Sequence, residues 1–455
     1  MPTPSLALHT DFYQLTMAAV YFARRHNGPA TFSLFVHKLP PARGFMIAAG
    51  LEEALDYLAG MRFASEDLDY LGSLGRFKDD FLHWLAGFRF SGEVWAMPEG
   101  TACFAGEPLL EVSAPLLEAQ LVETYLINLL NLNTTLCSKA ARCALAGQGK
   151  VLVDFGLRRT QGAIHAGMAA ARSAVIAGFA GTSNVAASRA LGTTPVGTMA
   201  HAFVEALGSE REAFNAFVDA FPAHGVLLID TYDTMGGLEI AIEAARRLAE
   251  SGRRLLGVRL DSGDLVEMSK KVRERLDQAG LPEVKIVASG NLDEYVMAEL
   301  AEKGAAIDMY GVGTRMVSSA DHPYLDFAYK LVSYQGRPTL KLSEGKETWV
   351  DPKQVWRTYD DAGIIQHDTL GLRAEGRPGR PLLKKVMAEG RRVEGPRSWR
   401  EAKELCAAEL ASLPPAAARL IEPQPVPLEI SQGLLTLQTK AREAALAQQA
   451  KGRPH

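Results

Sequence analysis

Six short clusters bring together residues able to handle an anionic, phosphate-bearing substrate. Arg259-Leu260-Asp261-Ser262-Gly263-Asp264 sets an arginine and two carboxylates within six positions, directly after an apolar run. The planar fork of Arg259 suits an anionic group, and Asp261 suits ribose hydroxyls or a metal-bound water, although a salt-bridged surface loop uses the same residues. Asp154-Phe155-Gly156-Leu157-Arg158-Arg159 puts an aromatic ring beside two more arginines, and Phe155 would serve equally as core. Ser289-Gly290-Asn291 and Gly311-Val312-Gly313-Thr314 each close a strand-like run, and their backbone N–H groups could cradle phosphate where a plain tight turn would need the same glycines. His201 ends Gly197-Thr198-Met199-Ala200-His201, a glycine-led turn, and Asp230-Thr231-Tyr232-Asp233 ends the next strand-like run. A carboxylate there would orient the imidazole and leave its other nitrogen nucleophilic toward a phosphoryl group.

The elements that must position these clusters follow a regular rhythm. From Gly149, apolar runs (Val151 to Asp154, Val226 to Asp230, Leu255 to Leu260, Lys285 to Ala288, Met309 to Val312) alternate with amphipathic helices (Ala166 to Phe179, Gly236 to Glu250, Leu265 to Ala279, Leu292 to Lys303). This alternation marks βα units around a parallel sheet, and in a βα barrel the C-terminal strand ends share one face. The clusters sit at those ends. The first 130 residues mix signals: helical spacing over Asp11 to Phe22 and Ile47 to Ala59, a strand over Thr31 to Val36, and a turn-rich meander over Gly92 to Val112. A long helix is expected from Leu116 to about Ala146. The expected organisation is an α/β N-terminal domain over 1–130, completed by 335–430, a βα barrel over 131–334, and a C-terminal helix and tail over 431–455.

Composition narrows the partners. With 455 residues, 47% of them hydrophobic and 22% charged, the chain can bury a large core. A net charge of −4 supplies no global field toward nucleic acid or an anionic membrane, so anions must be held locally. Cys103, Cys137, Cys143 and Cys406 form no C-x-x-C pair, which fits neither a disulfide framework nor a zinc site and points to a reducing cytoplasm. No signal peptide or membrane span is expected from the N-terminal residues or from any apolar run.

Taken in order, TDFYQLTM (Thr10 to Met17), DFGLRR, GTSN, GTMAH, DTYDT, RLDSGD, SGN, GVGTRM and YKLV resemble the nicotinate phosphoribosyltransferase family along nearly the whole chain, as far as Lys353-Gln354-Val355-Trp356-Arg357. The resemblance implies a type II phosphoribosyltransferase fold, an irregular βα barrel beside an α+β sandwich-like domain, in a homodimer whose partner completes each active site. It implies nicotinate and phosphoribosyl pyrophosphate as substrates in NAD salvage, with Mg²⁺ and with ATP as co-substrate. Phe155 resembles the residue stacking one face of the pyridine, and Tyr13 the one offered to the other face by the partner. Arg158 and Arg259 resemble the anion-holding arginines, and Asp261 the acid near the ribose. Gly290, Asn291, Gly311, Gly313 and Thr314 resemble the loops around the 5-phosphate. His201 resembles the histidine phosphorylated by ATP, and Asp230 its orienting partner. The metal ligands are left open.

Two positions bear on specificity. Ser183 stands where amide-using relatives, the nicotinamide phosphoribosyltransferases, carry an aspartate; a serine can donate to a carboxylate that an aspartate would repel. His37 stands where many relatives have an arginine before Lys38-Leu39-Pro40, a pH-dependent replacement to which no role is assigned. A barrel that had lost catalysis would show decay of the acids, the histidine or the phosphate loops, and all are present.

Overall fold

The computed structural model describes residues 6–342 and 348–451; positions 1–5 at the start and 452–455 of the expected tail lie outside the described residues. The chain divides into two compact units, Met1–Thr135 with Tyr324–His455, and Leu136–Pro323.

The first unit is built on a seven-stranded sheet in which the interior strand Pro29–Val36 runs antiparallel to Pro108–Pro115 on one side and to Phe327–Tyr334 on the other. These strands hold together because Phe32, Leu34, Val36, Leu110, Val112 and Tyr329 all enter one hydrophobic core. A four-stranded sheet containing Lys353–Tyr359 and Ile365–Leu372 lies in the same unit, as does the terminal helix Gln432–Lys451, expected from sequence as a separate segment. The second division falls at 323/324, ahead of the bound drawn at 334, because Phe327–Tyr334 is a strand of this sheet. The expected helix from Leu116 is interrupted at Val122, giving Leu116–Leu121 and Glu123–Ala146.

The second unit holds six parallel strands: β1 (Val151–Asp154), β2 (Gly181–Thr182), β3 (Val226–Leu228), β4 (Gly257–Leu260), β5 (Lys285–Ala288) and β6 (Met309–Val312). Their spatial order is β2-β1-β6-β5-β4-β3. That order is the chain order read around a circle, with hydrogen bonding interrupted between β2 and β3, as an irregular βα barrel requires. Three helices occupy the interval between β2 and β3: Val185–Leu191, His201–Ala206 and Glu210–Ala220. The strands read as continuous apolar runs because helices cover them; Leu227, Leu228, Val258, Leu260 and Ile286 share one core with Leu238, Ile242, Val272 and Leu276 of the intervening helices.

Candidate functional site

Every strand of the second unit delivers a sequence-predicted residue at or just beyond its C-terminal end. Phe155 follows β1, Ser183 follows β2, Asp230 follows β3, Arg259 lies in β4 with Asp261 just after it, Gly290 and Asn291 follow β5, and Gly311 lies in β6 with Gly313 and Thr314 beyond.

Side-chain hydrogen bonds tie neighbouring ends together. The Asp154 carboxylate accepts from Gly156 N at 2.8 Å and from Thr182 Oγ1 at 2.7 Å, and Ser183 N donates to Asp154 O at 2.8 Å. Asp154 thus fixes both the Phe155 turn and the Ser183 turn; burial pushes its carboxyl pKa up, against the opposing hydrogen bonds from Thr182 and Gly156. Nothing in the spacing singled out Asp154, although a strand-final acid two residues before a glycine is a recognisable turn signal. Phe155 N donates to Val312 O at 2.8 Å, and its ring lies so close over Gly311 that a Cβ there would stand 2.5 Å from Cδ2 and 2.6 Å from Cε2. The half-buried ring therefore rests on bare backbone.

On the other side, Asp261 N donates to Asp230 Oδ2 at 2.8 Å and Ser262 Oγ to the same oxygen at 2.7 Å, while Ser289 Oγ donates to Asp261 Oδ1. Gly290, at φ +91°, brings its α-carbon so near Asp261 O that a Cβ would sit 2.1 Å from it. Only glycine fits there. Asn291 continues the turn at φ +52°.

The arginines lie in the same region. Arg259 Nη1 donates to Thr198 Oγ1, and its Nε is buried without a hydrogen-bond partner. Burial lowers the Arg259 pKa, Asp261 and Asp230 oppose this, and the positive charge of Arg158 adds to the lowering. Two guanidinium groups are therefore within electrostatic reach of each other, one exposed and one largely desolvated, an arrangement that an anion would relieve.

His201 is the first residue of the helix His201–Ala206 rather than part of an open turn. Its Nδ1 lies 3.1 Å from Thr231 Oγ1. The expected Asp230–imidazole pairing is not formed: the Asp230 carboxylate is turned toward Asp261 N and Ser262, and its Oδ1 is buried with no hydrogen-bond partner. The loop's own demand for an acceptor outcompetes the imidazole. Glu210, buried beneath the same loop, accepts from the amides of Thr231 and Tyr232, with its pKa raised chiefly by burial. Tyr13 belongs to the first unit and is 50% exposed on the helix Phe12–Ala23, next to Phe12 at 45%.

The chain that carries this site has counterparts in sequence and in fold among known proteins. Residues 8–131 match the model of the nicotinate phosphoribosyltransferase (NAPRTase) N-terminal domain, 151–358 that of the NAPRTase family, and 377–438 that of the C-terminal domain. Nicotinate phosphoribosyltransferase pncB2 of Mycobacterium tuberculosis is 48% identical over 402 residues, 86% of each chain, and the Bacillus subtilis enzyme is 41% identical over 368 residues, 79% of this chain and 74% of its own. The crystal structure of human nicotinic acid phosphoribosyltransferase superposes with a TM-score of 0.84 at 30% identity, covering 95% of this chain and 99% of that one. With three successive family models spread along its length and relatives matched over most of theirs, the chain belongs to the nicotinate phosphoribosyltransferase family.

Proposed function

We propose that the protein joins nicotinate to the ribose of phosphoribosyl pyrophosphate, releasing pyrophosphate and forming nicotinate mononucleotide for NAD salvage. The observation that carries this reading is the Arg158–Arg259 pair, with its buried unpartnered Nε, on the same strand-end face as the Phe155 ring. A planar aromatic carboxylate answers both features.

In the reaction the pyridine nitrogen's lone pair forms the N–C1 bond as the C1–O bond breaks, and the bonding pair leaves on pyrophosphate. No proton need move, so the task is alignment and charge stabilisation. Phe155 holds one face of the ring, Ser183 donates to the carboxylate, and the arginines hold anionic groups. Asp261 receives ribose hydroxyls, and the turns at Gly290-Asn291 and Gly311-Val312-Gly313-Thr314 hold the 5-phosphate. Mg²⁺ would neutralise pyrophosphate charge. Asp230 and Asp261 would be the residues to hold it, with the unpartnered Oδ1 of Asp230 as one donor. Among the described residues no group of three or more His, Cys, Asp or Glu could hold a metal ion.

ATP enters through His201. With Nδ1 held by Thr231, Nε2 is left to attack the γ-phosphorus, and the bond to ADP breaks as the N–P bond forms. Water later takes the phosphoryl group, drawing the transfer toward product. The exposed Tyr13, beside exposed Phe12, fits a homodimer in which each chain lends a ring to its partner's site. None of the helices among the described residues is long and apolar enough to cross a membrane.

The test is a product assay with nicotinate, nicotinamide and quinolinate in parallel, each with and without ATP. Nicotinate should be used far better than the others, with ATP raising the yield. Equal kcat/KM for nicotinate and nicotinamide would overturn the substrate assignment, and indifference to ATP the coupling. Mixed Tyr13→Ala and Asp261→Ala variants should regain activity on subunit exchange if sites are shared.

A further inference from the structure

The second unit contains a buried ion cluster that takes no part in the chemistry above. Lys139, on the helix Glu123–Ala146, has a fully buried side chain, and its Nζ lies 2.6 Å from Glu294 Oε2 and 2.8 Å from Asp321 Oδ1. Glu294 begins the helix that follows Ser289-Gly290-Asn291, and Asp321 follows the short helix Thr314–Val317 that carries on from Gly311-Val312-Gly313. One ammonium group therefore clamps the segments after β5 and after β6. Arg142 Nε holds the other Glu294 oxygen at 3.0 Å, and its Nη2 donates to Tyr295 OH at 3.1 Å. A second strut joins the same two segments nearer the site: Arg315 Nη1 bonds Asp293 Oδ2 at 3.0 Å, while Asp293 Oδ1 caps its helix through Tyr295 N and Val296 N.

Burying four charges is a poor route to stability, since desolvation offsets most of the attraction and apolar packing of equal volume does as well. What such a cluster does supply is a fixed geometry. Here it fixes the relative position of two turns that cannot hold themselves: Gly290 and Asn291 are both at positive φ, and Gly311 and Gly313 carry no side chains to anchor them.

We propose that Lys139 and Arg315 are positioning residues that lock the β5 and β6 turns into one phosphate-receiving cradle. The proposal rests on the reading of those turns as the 5-phosphate site. Neither side chain is assigned contact with the substrate. Their effect is to present the turn amides already spaced for three phosphate oxygens, so that binding requires no rearrangement.

The test uses ribose 5-phosphate as a probe, titrated calorimetrically into the full-length protein, together with steady-state kinetics. Arg315→Gln is the first variant because its side chain is 43% exposed and its removal leaves the core intact. Asp321→Asn is the second, loosening one arm of the Lys139 clamp. Each should weaken ribose 5-phosphate by about tenfold and raise the KM for phosphoribosyl pyrophosphate in step, as small misplacements of a binding group do. The KM for nicotinate and the thermal midpoint should stay near those of the unaltered protein, and Arg315→Lys should recover most of the loss. Unaltered protein that binds ribose 5-phosphate, with both variants binding it equally well, overturns the clamp and leaves the site reading standing. Active, unaltered protein that binds no ribose 5-phosphate overturns the site reading itself. Equal rises in both KM values with a lowered midpoint would reduce the cluster to a general stabiliser and overturn the proposal.

Discussion

Nδ1 of His201 stands 3.1 Å from Oγ1 of Thr231, while Asp230, one residue earlier, directs its carboxylate to the β4 turn. The hydroxyl, itself set by a loop whose amides are held on Glu210, is the group placed to fix the imidazole tautomer.

Thr231→Val should therefore slow phosphoryl labelling of the protein by Mg-ATP by roughly tenfold or more, as loss of a group orienting a functional histidine does. Thr231→Ser should keep most of the rate. His201→Ala should abolish the acid-labile, base-stable label while sparing some ATP-independent transfer at high phosphoribosyl pyrophosphate. Asp230→Asn should raise the KM for phosphoribosyl pyrophosphate more than it slows labelling. A Thr231→Val protein that labels at the normal rate would return the orienting role to Asp230.

Ser183 sits on a turn pinned by Asp154 O and, through Thr182, by the Asp154 carboxylate, so a substitution there changes chemistry without moving the loop. Ser183→Asp should lower kcat/KM for nicotinate by about 100-fold, the scale expected when a partly dry pocket opposes two like charges. Use of nicotinamide should fall less or rise. Parallel kinetics with the two substrates check this, and unchanged nicotinate kinetics would place Ser183 outside the ring pocket.

The Phe155 ring occupies the space a side chain at position 311 would need. Gly311→Ala should force the ring to tilt, destabilising the protein by about 1–3 kcal/mol as overpacking does. The KM for nicotinate should rise more than that for phosphoribosyl pyrophosphate. Denaturant titration and the two KM values report the two effects separately.

In the first unit Arg357 binds Asp368 through Nε at 2.9 Å and Nη2 at 2.6 Å, and Glu409 through Nη1 at 2.6 Å; Arg380 also reaches Glu409. Glu107, fully buried beside Asp368, makes three carboxylates against two guanidinium groups. Burial and then the Asp368 charge push the Glu107 carboxyl well above its usual range, so it keeps a proton that balances the cluster. A carboxyl whose pKa is higher folded than unfolded binds more proton in the native state. Stability then falls as pH rises from the ordinary carboxylate range to the raised value, and levels off above it. Glu107→Gln, which can still accept from Phe104 N and donate to Asp368, should flatten that decline. Unfolding midpoints measured between about pH 5 and 9 should converge at the acid end and favour the variant at the alkaline end.

Much of the barrel was legible because its strands are short apolar runs closed by polar clusters: Val151–Asp154, Lys285–Ala288 and Met309–Val312 have the bounds read from sequence. The interval from Ser183 to Gly225 was not, since stretches of mostly small residues such as Val185–Leu191 and Thr193 to Ala200 carry little periodic contrast. From the spacing alone His201 therefore falls on a turn, whereas the structure sets it at a helix start. Strand-end acids were visible by type, but which carboxylate faces which donor is set by tertiary geometry. Residue types alone therefore pair Asp230 with the imidazole that Thr231 contacts, and they do not mark Asp154.

The interior strand Pro29–Val36 pairs Ala30 with Tyr334, so the partner that covers its second edge is translated some 300 residues after it. At about 5–20 residues per second the strand waits on the order of fifteen seconds to a minute on the ribosome with one edge unpaired. All six barrel strands emerge within that interval. The catalytic half of the molecule can thus take shape while the half that encloses the chain's ends is still open, and a nascent chain stalled before Tyr324 would present a long apolar edge to any neighbour able to add a strand.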